Sequence, residues 1–238
     1  MRIAHIAVAV VVVAAALLLF AGPGTRLDLW EYGTGFLMMR WALFLGLGGA
    51  VLALLFLLLP KIRRGRTGLL ATALIIGMVT AWVPWNGYQT VQSLPFIHDI
   101  STDTANPPQF VDVVPLRADA PNPVDYAGEE TARQQRENYP DIRPLVLSLT
   151  AEEAFDRALQ SAHEMGWQIV AAAPQDGRIE ATDTTRWFGF KDDVVIRVTP
   201  LASGSRLDIR SKSRVGRSDV GANATRIRNF MAEFERRG

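Results

Sequence analysis

A chain of 238 residues, 49% hydrophobic and with a net charge of +1, has room for one membrane unit and one ordinary soluble domain, at about 100 to 200 residues per domain. It has no cysteine, which removes disulfides, thiolate metal sites and cysteine nucleophiles. Residues 1–94 carry seven Lys/Arg against two Asp/Glu and the remainder 18 against 22, so the acidic second part lacks the basic surface that a nucleic-acid partner requires.

Residues 6–21 read IAVAVVVVAAALLLFA, an uncharged run about long enough to cross ~30 Å of hydrocarbon. A cleaved signal sequence is the competing reading. The run exceeds the ~7 to 15 apolar residues usual there, and Phe20-Ala21-Gly22-Pro23 is a poor cleavage site. A second spanning run covers residues 41–59, between Arg40 and Pro60-Lys61. Its Gly46 and Ala50, beside Gly48 and Gly49, form a small-xxx-small pair that lets another helix approach closely, although glycine is common in any membrane helix. The third run, residues 67–83, ends at Pro84-Trp85, and Trp82, Trp85 and Tyr88 make an interfacial aromatic belt.

The loop Lys61-Ile62-Arg63-Arg64-Gly65-Arg66 holds four positive charges and no acid, the pattern of a loop retained in the cytoplasm. It predicts a multi-pass protein of the cell inner (cytoplasmic) membrane with its N-terminus inside. Residues 22–40 and everything after Trp85 then lie outside, in the periplasm of a cell with two membranes. Arg40 is at the outer end of the second helix, where its side chain snorkels to the headgroups.

Eight of the 13 prolines fall between Pro95 and Pro144, too densely for regular helix or central strand. Residues 91–143 therefore read as an extended, proline-rich linker in which only 110–114 form a short strand, on a sheet edge. The soluble domain, residues 144–238, opens with a strand over 145–149. Thr150 and Glu153 have capping-box spacing, and Phe155, Ala158, Leu159, Ala162 and Met165 give the following helix one apolar stripe up to a C-cap at Gly166. Alternation predicts strands over 167–173, 178–186, 192–200 and 205–214. Ser218 is the expected cap of a last helix with Val220, Ala224, Ile227, Met231 and Phe234 on one face. The fold class is α+β, in the order β-α-β-β-β-β-α, with two helices covering one face of an antiparallel sheet.

The pleat sorts these strands into two faces. Ile179, Ala181, Val194, Ile196, Val198, Leu207 and Ile209 point to the helices, and the opposite face alternates Arg and Lys with Asp and Glu. That face reads either as a solvated surface of cross-strand ion pairs or as an open docking surface, biased positive by Arg210, Arg214 and Arg217. Asp183 and Asp192 occupy the apolar-face phase beside a hairpin tip that carries Trp187, Phe188 and Phe190. Two converging carboxylates push one pKa upward and suit acid–base chemistry; the alternative is that each accepts structural hydrogen bonds. Large exposed rings on a loop mark a contact surface, and packing beneath the linker is the competing reading. An anion site where Arg214-Val215-Gly216-Arg217 enters the last helix competes with Asp219, already there. His5, His98 and His163 are too dispersed for a zinc site, and no nucleotide-loop or hydrolase-elbow motif occurs.

Residues 178–197 (RIEATDTTRWFGFKDDVVIR) and 210–223 (RSKSRVGRSDVGAN) resemble the bacterial and photosynthetic domain of unknown function family numbered 1499. Pro107-Pro108-Gln109-Phe110, Tyr139-Pro140 and Met165-Gly166-Trp167 fit in order, extending the resemblance over residues 107–235. It implies no activity, cofactor or substrate, and the three-helix segment lies outside it. The expected protein is a membrane-anchored envelope protein whose soluble domain is a binding or scaffolding module, with no cofactor. Its contacts are Asp183, Arg186, Trp187, Phe188, Phe190, Asp192, Arg197, Arg210, Arg214 and Arg217. The expected partners are the lipid bilayer and an envelope protein, lipid headgroup or glycan. The alternative is an uncharacterised envelope enzyme that uses Asp183 and Asp192 with Arg186 or Arg197 as electrostatic partners.

Overall fold

The computed structural model describes residues 3–237, which divide into two compact units. One runs through Ser93 and takes in Arg186–Gly189; the other holds Leu94–Thr185 and the chain from Phe190 onward.

The first unit has three helices long and apolar enough to cross a membrane: α1 (Ile3–Arg26), α2 (Tyr32–Leu58) and, after the short α3 (Pro60–Arg63), α4 (Thr67–Ser93). At 24 and 27 residues they reach about 36 and 40 Å, past the ~30 Å of hydrocarbon. Each exceeds its expected run, because a backbone that leaves an apolar medium gains by keeping its hydrogen bonds internal. Thus α4 does not stop at Val83 but carries a buried Pro84 in its interior, and α2 begins at Tyr32, placing Arg40 within the helix rather than at its end. α2 is the central helix, and small residues set its approach to both neighbours. A Cβ on Gly46 would lie 2.9 Å from the Gly77 carbonyl oxygen of α4, and one on Gly49 would lie 2.5 Å from Val11 of α1. Ala7, Ala53 and Ala73 join the three helices at one level.

The second unit is built on a six-stranded antiparallel sheet: β1 (Asp99–Ser101), β2 (Leu145–Leu147), β3 (Gln168–Ala173), β4 (Arg178–Thr184), β5 (Lys191–Pro200) and β6 (Ser205–Ser213). The order is β1-β6-β5-β4-β3, and β2 shares the outer edge of β6 with β1. The expected β-α-β-β-β-β-α series is present from β2 onward. α6 (Ala151–Glu164) carries the capping box of Thr150 with Glu153, and α7 (Ala222–Arg236) closes the series. All seven residues expected to face the helices lie in one core with Phe155, Ala158 and Ala162 of α6 and Ile227, Phe230 and Phe234 of α7. Trp167 stacks on Phe230 with centroids 5.4 Å apart.

Three features differ from expectation. The proline-rich stretch adds β1, a 3-10 turn (Val114–Arg117) and α5 (Glu129–Asn138) to this unit. Residues 110–114 make no strand; the N–H groups of Val111 and Val113 donate to the two Glu180 carboxylate oxygens at 2.8 and 2.9 Å, in place of a ladder. Phe110 and Val113 pack on Val195. Finally, α7 starts at Ala222 rather than beside Ser218, and the Asp219 carboxylate accepts from the N–H groups of Gly221 and Asn223 at 2.9 and 2.8 Å.

Candidate functional site

Asp183 and Asp192 are direct partners across the β4–β5 ladder, so their side chains emerge on one face at neighbouring positions. The charge that meets them comes from α7. Arg226 Nε donates to Asp183 Oδ2 at 2.8 Å and its Nη2 to Asp192 Oδ2 at 2.6 Å. Nη1 of the same guanidinium donates to Asn223 Oδ1 at 2.6 Å and Ser211 Oγ at 3.1 Å. The Asn223 amide in turn donates to Ser213 Oγ at 3.0 Å. Arg226 and Asp192 are buried, and Asp183 is half-buried. Burial opposes the Arg226 charge, but Asp192 and Asp183 outweigh it and hold the guanidinium pKa above its ordinary value. The two carboxylates thus converge on a cation, which is neither Arg186 nor Arg197.

The polar sheet face, expected to be open, is covered by residues of the proline-rich stretch, whose acids meet its cations. Asp99 receives a bidentate pair from Arg210, Nε to Oδ1 at 2.8 Å and Nη2 to Oδ2 at 2.9 Å, and Lys212 Nζ lies 2.9 Å from the same Oδ2. The Arg210 guanidinium also sits 4.9 Å from the Phe110 ring and 5.3 Å from that of Tyr126. Asp193 is held by Arg117 at 2.6 Å and by Arg214 at 2.9 and 2.8 Å. Arg197 and Arg206 share Asp103 and Asp208. Asp99, Asp193, Arg210 and Lys212 are completely inaccessible to solvent. Burying so many charges is tolerable only because each carboxylate meets a guanidinium or ammonium group at hydrogen-bond distance.

The other expected contacts are dispersed. Arg217 is exposed and has no polar partner among the described residues. Phe190 is half-buried, its N–H donating to Thr185 Oγ1 at 2.9 Å. Arg186, Trp187 and Phe188 belong to the first unit. There Arg26 Nη1 donates to the Arg186 carbonyl at 2.8 Å, and Phe188 is buried with its ring centroid 5.2 Å from that of Phe36. Trp187 stays 37% exposed. Sequence reasoning missed Arg226, Asp99 and Arg117. Arg226 carried one usable signal, a cation next to Ile227 at the border of the apolar stripe of α7.

The arrangement offers charge balance, while Arg117 Nε and the Tyr126 hydroxyl stay buried without a hydrogen-bond partner. Neither Asp183 nor Asp192 is left as an unpaired proton acceptor, and the acids of the covered face are paired likewise.

No curated protein matches this chain. Among solved structures, protein CV1439 from Chromobacterium violaceum is similar over 39% of this chain and 89% of its own, at 15% identity and a TM-score of 0.29. Protein MLL2253 from Mesorhizobium loti is similar over 40% of this chain and 95% of its own, at 16% identity and a TM-score of 0.30. The model of the family described as "Protein of unknown function (DUF1499)" matches residues 99–234, and the chain belongs to that family.

Proposed function

We propose that this is a membrane-anchored envelope protein whose second unit is a binding or scaffolding module outside the cytoplasm. The observation that carries a non-catalytic reading is the engagement of both Asp183 and Asp192 by Arg226. A general acid or base needs a titratable group within reach of substrate and free to exchange a proton. Each carboxylate is instead engaged through its Oδ2 by one buried guanidinium. Three helices of membrane-spanning length supply the anchor, and the acid-free loop 61–66 supports an orientation with that loop in the cytoplasm.

In this reading partner contact falls to the exposed side chains of the tip and of the segment before α7, although the Trp187 ring also packs edge-on to Phe188 and over Gly22. Arg186 and Arg217 are exposed, and Trp187 keeps over a third of its surface accessible. A cation beside an exposed indole suits a lipid headgroup, a glycan or an acidic protein surface. The test is a photoreactive residue in place of Trp187, irradiated in intact cells, with Val146, the most exposed large apolar residue of the second unit (74%), as the comparison position. Adducts enriched at 187 identify the partner class. Equal yields at 187 and 146 would contradict a contact role for the tip.

A further inference from the structure

α1 and α4 each pack on α2, and between α1 and α4 lies a groove of about 330 Å³. Its walls include Val8, Ala15, Ala16 and Phe20 from α1 and Leu69 and Ala73 from α4, with Thr72 the only polar residue in the lining. Along α1 it extends from residue 8 to 20, about 18 Å at the helical rise. Leu69 stands three residues after Arg66, so one end of the groove adjoins the loop that holds Lys61, Arg63, Arg64 and Arg66.

Those four cations differ from the buried cations of the second unit. No Asp or Glu occurs between Glu31 and Asp99. Among the described residues none of the four side chains forms an ion pair, and Lys61, Arg63 and Arg64 are exposed. In the second unit, by contrast, even fully buried cations are matched with acids. The loop therefore presents an uncompensated positive charge at the mouth of an apolar groove in a membrane-spanning segment.

We propose that groove and loop together bind one anionic phospholipid, with an acyl chain between α1 and α4 and the headgroup phosphate on Lys61, Arg63, Arg64 and Arg66. Charge decides the occupant. A second copy of the chain inserted in the same orientation would bring an identical four-cation loop against the first, which like-charge repulsion opposes. A phosphodiester neutralises the loop while its acyl chain fills the groove, the combination by which basic pockets between membrane helices select lipids.

The full chain, synthesised cell-free into detergent so that loop charge cannot alter its insertion, is given equimolar phosphatidylglycerol and phosphatidylcholine and weighed by native mass spectrometry. The wild type is expected to retain one phosphatidylglycerol with a preference of about tenfold or more over phosphatidylcholine. The combined variant Lys61→Gln, Arg63→Gln, Arg64→Gln, Arg66→Gln is expected to lose the preference. Ala16→Phe, and independently Thr72→Phe on the opposite wall, are expected to lose the lipid while keeping the wild-type helical signal in circular dichroism. Equal retention of both lipids by the wild type, preference persisting in the charge-free variant, lipid persisting in both groove-filled variants, or a lipid-free dimer would each overturn the proposal.

Discussion

Arg226 Nη2 lies 2.6 Å from Asp192 Oδ2, and the same guanidinium holds Asp183, the cross-strand neighbour of Asp192. The bridge joins α7 to the hairpin end of β4 and β5. Arg226→Met would leave two adjacent carboxylates sharing no cation. We expect a loss of about 3 to 5 kcal/mol of stability, the usual cost of breaking a buried pair from one side. Asp183→Asn should cost much less, because Asp183 is half-buried and Asp192 keeps its partner. Chemical denaturation of the two variants measures the difference.

Asp99 and Lys212 predict an asymmetry of the same kind. Asp99→Ala removes the single carboxylate that meets both Arg210 and Lys212, leaving two buried cations without it. Lys212→Met leaves the bidentate Arg210–Asp99 pair intact. The first should cost about 3 to 5 kcal/mol and the second less than half as much, read as shifts in denaturation midpoint at constant slope.

His98 and Asp193 predict two steps on the acid side. Burial, reinforced by Lys212, lowers the His98 pKa, and its Nδ1 is buried without a partner. The unfolded chain thus takes up that proton first, at about pH 6.5, and stability falls as the pH drops from there to the folded value. Asp193 behaves at lower pH: burial alone would raise its pKa, but Arg214, Thr182 and Arg117 prevail and lower it. Its contribution is complete above the unfolded carboxylate value, about 3.9, and is lost as the pH falls through the lower folded value. Thermal midpoints between pH 8 and 2 should show the upper decline and the onset of the lower one, and His98→Gln should remove only the upper one.

Gly77 and Gly48 separate packing glycines from incidental ones. A Cβ at Gly77 would sit 2.7 Å from the Gly46 carbonyl oxygen, whereas nothing lies within 4 Å of one at Gly48. Gly77→Val should force α2 and α4 apart and lower the melting temperature in detergent. Gly48→Ala should leave it unchanged or raise it slightly, since alanine favours helix by about 1 kcal/mol over glycine.

The inward positions of β4, β5 and β6 were legible because the two faces of the sheet differ in chemistry, one apolar and one charged, so the pleat writes the core as strict alternation even though both faces are covered. The capping box of α6 was legible because it is local. The meeting of Asp183 with Asp192 was legible because both take the apolar-face phase on strands that flank one hairpin tip. Arg226 did not, since only the angle at which α7 crosses the sheet decides whether a residue bordering its apolar stripe reaches the strand ends. The covering of the polar face was hidden for a different reason. Asp99 is 111 residues from Arg210 and Arg117 is 76 from Asp193, and a periodicity argument contains no long-range pairing. α5 escaped because it has almost no apolar stripe; of its ten residues only Ala132 and Gln135 are buried, Gln135 through paired hydrogen bonds to the Ser101 backbone.

The absence of cysteine makes the orientation directly measurable. Single cysteines introduced as Arg217→Cys in the second unit and Thr67→Cys at the start of α4 are labelled in spheroplasts with a membrane-impermeant maleimide. Position 217 is expected to react in intact spheroplasts and position 67 only after permeabilisation. The reverse pattern would place the second unit in the cytoplasm and contradict the envelope function.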